Sequence, residues 1–353
     1  MFVSLLTSLF WFFVFTAVVV FAVLFFKRPS SRRPENLKER IILSDGRILE
    51  GPEKTLGRGA FGVVAKYILT SSSSSSAVAV KIPTSILDNA SQEHEIAMLR
   101  QAGSHANIIN FMTSVTVKNK VYLVMELMQG TVKDLLQAYP KLSWPTKLSV
   151  VIQMLTGIVH LHALTNGTFT RKAMVHQDLK PENLLLDKIE DNGKIKVKLS
   201  DFGIARVVDE LKIPLFGKIA TLPHEGPTGG TRQYMAPEIV KMLVTQDAGG
   251  CNRESDVFSA GVIMWEVATG HPPARNEHER LEGTFLEFQR DQAHCSAKEE
   301  TTFWGSTKIV KGKPDYPMSR FFGPVIGDCI QPKPSDRSSA SKVLDKVQKI
   351  QLS

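Results

Sequence analysis

His176-Gln177-Asp178-Leu179-Lys180-Pro181-Glu182-Asn183 is the stretch on which the reading of this chain turns. One loop carries an Asp, a Lys two residues on and an Asn five residues on. Together they offer a general base, a cation for phosphate oxygens and an oxygen ligand for a metal. Eighteen residues beyond Asn183 stands Asp201-Phe202-Gly203, a carboxylate suited to a hard divalent cation, followed by a flexible Gly. Each piece alone reads as an ordinary turn. Chance does not produce them in this order and at this spacing.

Working upstream, Gly57-Arg58-Gly59-Ala60-Phe61-Gly62-Val63-Val64 fits a G-x-G-x-x-G-x-V pattern. Glycines let a backbone turn lie close over phosphates with no Cβ in the way. By itself the pattern is weak. The dinucleotide-binding alternative needs a helix directly afterwards, and strand-like residues follow instead. Val78-Ala79-Val80-Lys81 is an apolar strand that ends in a Lys, 19 residues after Gly62. The bland reading is a solvated lysine. The functional one sets a cation on the α- and β-phosphates, held by a carboxylate of the next helix. Glu95 is the candidate partner, because Glu93, two residues earlier, points to a different face of that helix.

The pattern around these motifs is strand-rich over residues 50–130, with one helix around Asp88–Arg100, and helical beyond residue 131. Ser71–Ser76 reads as a solvated hairpin loop between strands Val63–Leu69 and Ala77–Ile82. Leu148, Val151, Ile152, Leu155, Ile158, Val159 and His162 mark one face of a long helix. Asp256–Thr269 is apolar on nearly all sides and predicts a helix buried in the core. Ala340, Val343, Leu344, Val347 and Ile350 predict a last amphipathic helix, and the polar residues 271–305 predict surface insertions.

On these motifs the chain resembles a eukaryotic protein kinase across roughly residues 54–347. Gly230-Thr231-Arg232-Gln233-Tyr234-Met235-Ala236-Pro237-Glu238 is similar to that family's activation-segment end, Asp256 and Gly261 to its buried helix, and Arg337 to the Arg that pairs with Glu238. The resemblance implies an α+β bilobal fold. A small β-rich N-lobe (about 51–128) and a larger helical C-lobe (about 129–350) would make one kinase domain over 51–350. It implies that Lys81 pairs with Glu95 and holds the ATP phosphates. Asp178 would accept the substrate hydroxyl proton, Lys180 would steady the γ-phosphate, and Asn183 and Asp201 would hold Mg2+. Leu56, Gly57, Arg58, Gly59, Ala60, Phe61, Gly62 and Val64 would cover the nucleotide. Met125 would be the gatekeeper, and Glu126 and Met128 would meet adenine through their backbone. Lys180 and Gly230-Thr231 point to Ser/Thr hydroxyls of protein substrates.

The chain departs from that family at Gln177, where the usual residue is Arg. A neutral amide cannot make the charge-assisted pair with an activation-loop phosphate, so phosphate-dependent switching is not expected. Thr165–Ala173 reads as an insertion, the segment from Asp201 to Glu238 is long, and the Asn166-Gly167-Thr168 sequon is expected to be silent in cytosol.

Composition sets the outer limits. The chain has 353 residues with 43% hydrophobic and 22% charged, ordinary globular usage that excludes a mainly disordered chain or a polytopic membrane protein. The net charge is +8, of which +4 comes from residues 27–40 alone (Lys27, Arg28, Arg32, Arg33, Lys38 and Arg40 against Glu35 and Glu39). The excess therefore argues for no nucleic-acid partner. Cys251, Cys295 and Cys329 are too few and scattered for a disulfide framework or a zinc site. Residues 1–26 carry no charge. A helix of about 25 residues spans roughly 37 Å, enough to cross a bilayer core of about 30 Å. Basic residues directly follow, so a transmembrane helix is expected over 1–26, then a basic juxtamembrane linker over 27–50 and a kinase domain facing the cytosol. A cleaved signal peptide fits worse, for lack of a basic n-region and a small-residue cleavage site. No ectodomain precedes the run, so a receptor is not expected. The rival to an active enzyme is a kinase-like scaffold on a membrane. Such proteins lose one of Lys81, Asp178 or Asp201, and all three are present.

Overall fold

A computed structural model describes residues 39–59, 62–163, 173–207, 233–239, 252–270 and 316–352. The upper lobe is one antiparallel sheet of β1 (Glu39–Ile42), β2 (Ile48–Gly59), β3 (Gly62–Thr70), β4 (Ser75–Pro83), β5 (Phe111–Val117) and β6 (Lys120–Glu126), in the order β1-β2-β3-β4-β6-β5. Strand alternation sorts its side chains to two faces. Val78, Val80, Tyr122 and Val124 join Leu49, Tyr67 and Leu69 in a core on one face. Leu123 and Met125 face the other way, onto helix α1 (Asn89–Ala102) through Ile96 and Leu99. Lys81 lies opposite Leu123 across the β4–β6 pair. The β4 register thus puts its one cation on the helix side.

The sheet begins earlier than the sequence pattern suggests. Residues 39–50, expected in the linker, carry β1 and the start of β2, which pair from Glu39 opposite Gly51 to Ile42 opposite Ile48. Ile41, Leu43 and Leu49 enter the core from this hairpin. The serine tract is also shorter as a loop than expected. Ser71 N–H donates to Ser74 O at 2.8 Å, and Ser75 and Ser76 already pair with Thr70 and Leu69.

The lower lobe is built on two helices, α3 (Trp144–His162) and α4 (Arg253–Thr269), after the short α2 (Val132–Ala138). Every residue of α4 from Ser255 to Val267 is buried, as its all-round apolar pattern predicts. Against α4 packs α5 (Tyr316–Cys329), and α6 (Ala340–Leu352) packs against α3 and α5. A Cβ on Gly261 would lie 2.6 Å from Cys329 Cβ, so glycine sets how closely α4 and α5 approach. Short strands β7 (Gly130–Thr131), β8 (Met174–Val175), β9 (Leu184–Leu186), β10 (Val197–Leu199) and β11 (Arg206–Val207) line the junction of the lobes. The connection is direct: Ile109 N–H donates to Leu199 O, and Leu199 N–H to Asn107 O, both at 2.9 Å.

Among the described residues no helix is long and apolar enough to cross a membrane. The expected span over 1–26, the insertion and sequon before residue 173, most of the activation segment (208–232) and the insertions over 271–305 lie outside the described residues.

Candidate active site

Lys81 lies two residues before the end of β4 and meets two carboxylates. Its Nζ lies 2.6 Å from Glu95 Oε2 and 3.0 Å from Asp201 Oδ1. Glu95 is on the buried face of α1 with Gln92, Ile96, Leu99 and Ala102, while Glu93 is exposed. Gln92 ties α1 to the same strand by donating to Lys81 O at 2.9 Å. Asp201 stands at φ +62°, a left-handed backbone that turns its carboxylate toward Lys81. Burial works against charge on Lys81, but Glu95 and Asp201 outweigh it and raise its pKa above the ordinary lysine value. For Asp201 burial pushes the pKa up, and Lys81 more than reverses this to hold it below the usual carboxylate range. The aspartate is therefore anionic at neutral pH, with its side chain 38% exposed to whatever enters the cleft.

The loop after β8 gathers the other groups. Asp178 Oδ2 accepts from Lys180 Nζ at 2.6 Å and from Asn183 Nδ2 at 3.0 Å, and Asn183 Nδ2 also donates to Asp178 O at 2.7 Å. These bonds engage the Asn183 side-chain amide nitrogen, and the amide oxygen takes no hydrogen bond among the described residues. Carboxylate and amide oxygens are hard donors, so Asn183 Oδ1 and Asp201 fit a magnesium-type cation. Below the loop, Asp256 of α4 accepts from His176 N–H at 2.8 Å, Gln177 N–H at 2.9 Å and His162 Nε2 at 2.9 Å. His176 in turn donates through Nε2 to Ser200 O at 2.9 Å, and its ring lies 5.0 Å from that of the buried Phe202. One carboxylate thus anchors the loop and, through His176, the residues flanking Asp201. Asp256 is a site residue whose task the sequence motifs do not indicate. Its signal is a carboxylate in the buried stretch of a mainly apolar helix, which must have partners.

The three glycines of the nucleotide loop differ. A Cβ on Gly57 or Gly59 would meet nothing within 4 Å, leaving room above β2. A Cβ on Gly62 would lie 2.4 Å from Ile82 O, so this glycine is needed for the close approach of β3 to β4. Val64 pairs with Lys81 and Gly57 with Val64, which brings the loop over the lysine. Leu56 is 43% exposed and Arg58 is exposed; Ala60 and Phe61 lie outside the described residues.

At the hinge Met125 is buried. Glu126 N–H donates to Asn110 O at 3.1 Å, so this N–H is already engaged. Met128 N–H makes no hydrogen bond among the described residues. The Glu126 side chain has a separate task that the motifs do not indicate. It accepts from Lys198 Nζ at 2.5 Å and from Asn110 N–H at 2.7 Å, linking the hinge to β10.

Gln177 sits at φ +70°, and its Nε2 is buried with no hydrogen-bond partner among the described residues, beside a small cavity lined by Met235, Ala236, Ser255 and Ser259. Further along, Arg337 makes a bidentate pair with Glu238 at 2.7 and 2.8 Å. Its remaining donors go to the carbonyls of Gln331, Pro332 and Glu254.

The sequence matches the protein kinase domain family over residues 52–347. It is 28% identical over 324 residues to the mitogen-activated protein kinase kinase kinase YODA of Arabidopsis thaliana, covering 90% of this chain and 31% of YODA. It is 32% identical over 236 residues to serine/threonine-protein kinase D2 of Homo sapiens, covering 65% of this chain and 23% of that protein. Against serine/threonine-protein kinase DCLK1 of Rattus norvegicus the identity is 30%, over 66% of this chain and 47% of that one. The chain thus spans less than half the length of these relatives. The two-lobed architecture, the cleft residues and the match over most of its length lead to one conclusion: this chain belongs to the protein kinase domain family.

Proposed function

We propose that the chain is an ATP- and Mg2+-dependent kinase that phosphorylates Ser/Thr hydroxyls of protein substrates, held on a membrane by residues 1–26 with its catalytic lobes in the cytosol. The observation that carries the catalytic part is the convergence of Lys81, paired with both Glu95 and Asp201, with the Asp178–Lys180–Asn183 cluster. A tethered scaffold would not need these side chains held together. The Ser/Thr preference rests on Lys180 and Gly230-Thr231, and on relatives named as serine/threonine kinases.

In this reading the hinge carbonyl of Glu126 and the N–H of Met128 hold adenine, and Leu56–Gly62 with Val64 cover the phosphates. Lys81 draws the α- and β-phosphates into line. Asp178 Oδ2 accepts the proton of the substrate hydroxyl as its oxygen attacks the γ-phosphorus and ADP departs. Lys180, on the same carboxylate in this structure, turns to the γ-phosphate once nucleotide is bound. A divalent cation on Asn183 Oδ1 and Asp201 supplies charge neutralisation at the phosphates. Positioning and charge compensation carry such a transfer, since there is little covalent chemistry for the protein to do.

Two tests address the two halves. Phosphotransfer should vanish when divalent metal is chelated and return with Mg2+; transfer that persists without metal contradicts the Asn183/Asp201 assignment. Full-length protein should stay in membranes through a carbonate wash without a glycosidase-sensitive mobility shift. Extraction by carbonate contradicts the anchor, and a glycosidase shift would place Asn166 in a lumen.

A further inference from the structure

Two consecutive large apolar residues stand in water on the upper lobe: Ile86 is 53% exposed and Leu87 is 90% exposed. They occupy a 3-10 turn, Ile86–Asp88, between β4 and α1. The turn is braced on every side. Ser85 N–H donates to Asp88 Oδ2 at 2.8 Å, and its hydroxyl to the same oxygen at 3.2 Å. Lys120 Nζ donates to Thr84 O at 2.8 Å and to Pro83 O at 3.2 Å. Asn89 Nδ2 donates to Asn119 O at 2.7 Å, and Asn89 Oδ1 accepts from Val121 N–H at 3.1 Å. A turn held this firmly presents its leucine in a fixed place.

The neighbouring surface is where the chain enters the lobe. The β5–β6 turn that Asn89 grips carries Lys118, whose side chain is 85% exposed. Lys118 Nζ lies 3.5 Å from Glu39 Oε1, on the first residue of β1. Two carboxylates share this surface, Asp88 bonded by Ser85 and Glu39 by Lys118 and the Tyr122 hydroxyl. Only twelve residues, 27–38, separate the apolar run from Glu39, and five of them are Lys or Arg. At about 3.5 Å per residue they reach no more than ~40 Å. If residues 1–26 are in a bilayer, this face of the upper lobe stays within reach of its surface.

We propose that Ile86 and Leu87, flanked by Lys118 and Lys120, form a membrane-contact surface for an anionic phospholipid bilayer. The apolar pair enters the interface and the exposed Lys118 ammonium meets a lipid phosphate, while Lys120 keeps the turn in place. The proposal rests on the anchor reading of the preceding section and adds to it the orientation of the domain. Because the turn leads straight into α1, the contact falls directly before the helix that carries Glu95.

The test is hydrogen–deuterium exchange on the full-length protein in three settings: detergent micelles, neutral phosphatidylcholine nanodiscs, and nanodiscs containing phosphatidylserine. Amides of residues 84–89 and 117–120 should exchange several-fold more slowly in the anionic discs than in micelles. Neutral discs should give a smaller effect, and about 0.5 M salt should reverse much of it. The Ile86→Ser/Leu87→Ser double variant should stay anchored yet lose the protection. Protein that inserts into discs but shows equal exchange in all three settings overturns the contact surface and leaves the anchor standing. Failure to insert at all overturns both. Protection already present in micelles would mean that protein, not lipid, covers the leucine, and overturns the proposal as well.

Discussion

The two halves of the cleft are assembled differently. The catalytic loop makes its own geometry: Asp178, Lys180 and Asn183 bond to one another within six residues, and Asp256 pins the backbone beneath them. The Lys81 half is built from three separate pieces, β4, α1 and Asp201, and exists only while α1 stays against the sheet. One half is preset by local bonds and a buried anchor. The other is conditional on the placement of a helix. A fold of this kind can therefore be controlled through α1 without disturbing the base.

Mutations can break the comparison at either half. The largest effect is expected for Asp178→Asn, which removes the base while keeping the bond pattern. Turnover should fall about 10²–10⁴-fold with ATP affinity unchanged, as measured by steady-state kinetics beside nucleotide binding. Asp256→Ala should be felt in stability, because it leaves the His176 and Gln177 N–H groups buried without acceptors. A loss of roughly 2–6 kcal/mol is expected from denaturant titration; Asp256→Asn, which keeps one oxygen, should lose less. Glu95→Gln should lower turnover over KM by roughly 10- to 100-fold through a weakened hold on Lys81. It should leave stability of the lower lobe intact. If Glu95→Gln and Asp256→Ala gave the same profile, the division into a conditional and a preset half would fail.

The smallest effect sharpens the account at Gln177. An Arg at this position would bring a positive charge to the loop, which a phosphate could balance. The neutral amide, whose Nε2 is buried without a hydrogen-bond partner among the described residues, brings no positive charge for a phosphate to balance. Phosphatase treatment should therefore change activity by less than about twofold, since no charge-assisted pair is there to lose. A several-fold loss restored by rephosphorylation at Thr221 or Thr228 would assign phosphate recognition to another basic residue, such as Arg206.

Local chemistry was legible in the residues themselves. Asp178, Lys180, Asn183 and Asp201 announce themselves by spacing, and Glu95 by its place on a helix face, because each signal lies within a few residues. What spacing could not show is long-range. Asp256 reaches its loop partners 79 and 80 residues away, and Lys198 meets Glu126 72 residues away. Strand β1 escaped notice because four residues, Glu39-Arg40-Ile41-Ile42, are too few and too charged for a periodic signal. Only its pairing with β2 makes it a strand. Gly62 was read as part of a phosphate loop, whereas the steric demand on it comes from Ile82 O on the neighbouring strand.

The central claim is phosphoryl transfer from ATP to an aliphatic hydroxyl. The most direct test incubates the full-length protein with γ-labelled ATP, Mg2+ and three peptide libraries that differ only in a Ser, Thr or Tyr acceptor. The account predicts label on the Ser and Thr peptides with matching ADP release, and none from Asp178→Asn. Binding of ATP with no labelled Ser or Thr, or label confined to Tyr, would contradict it.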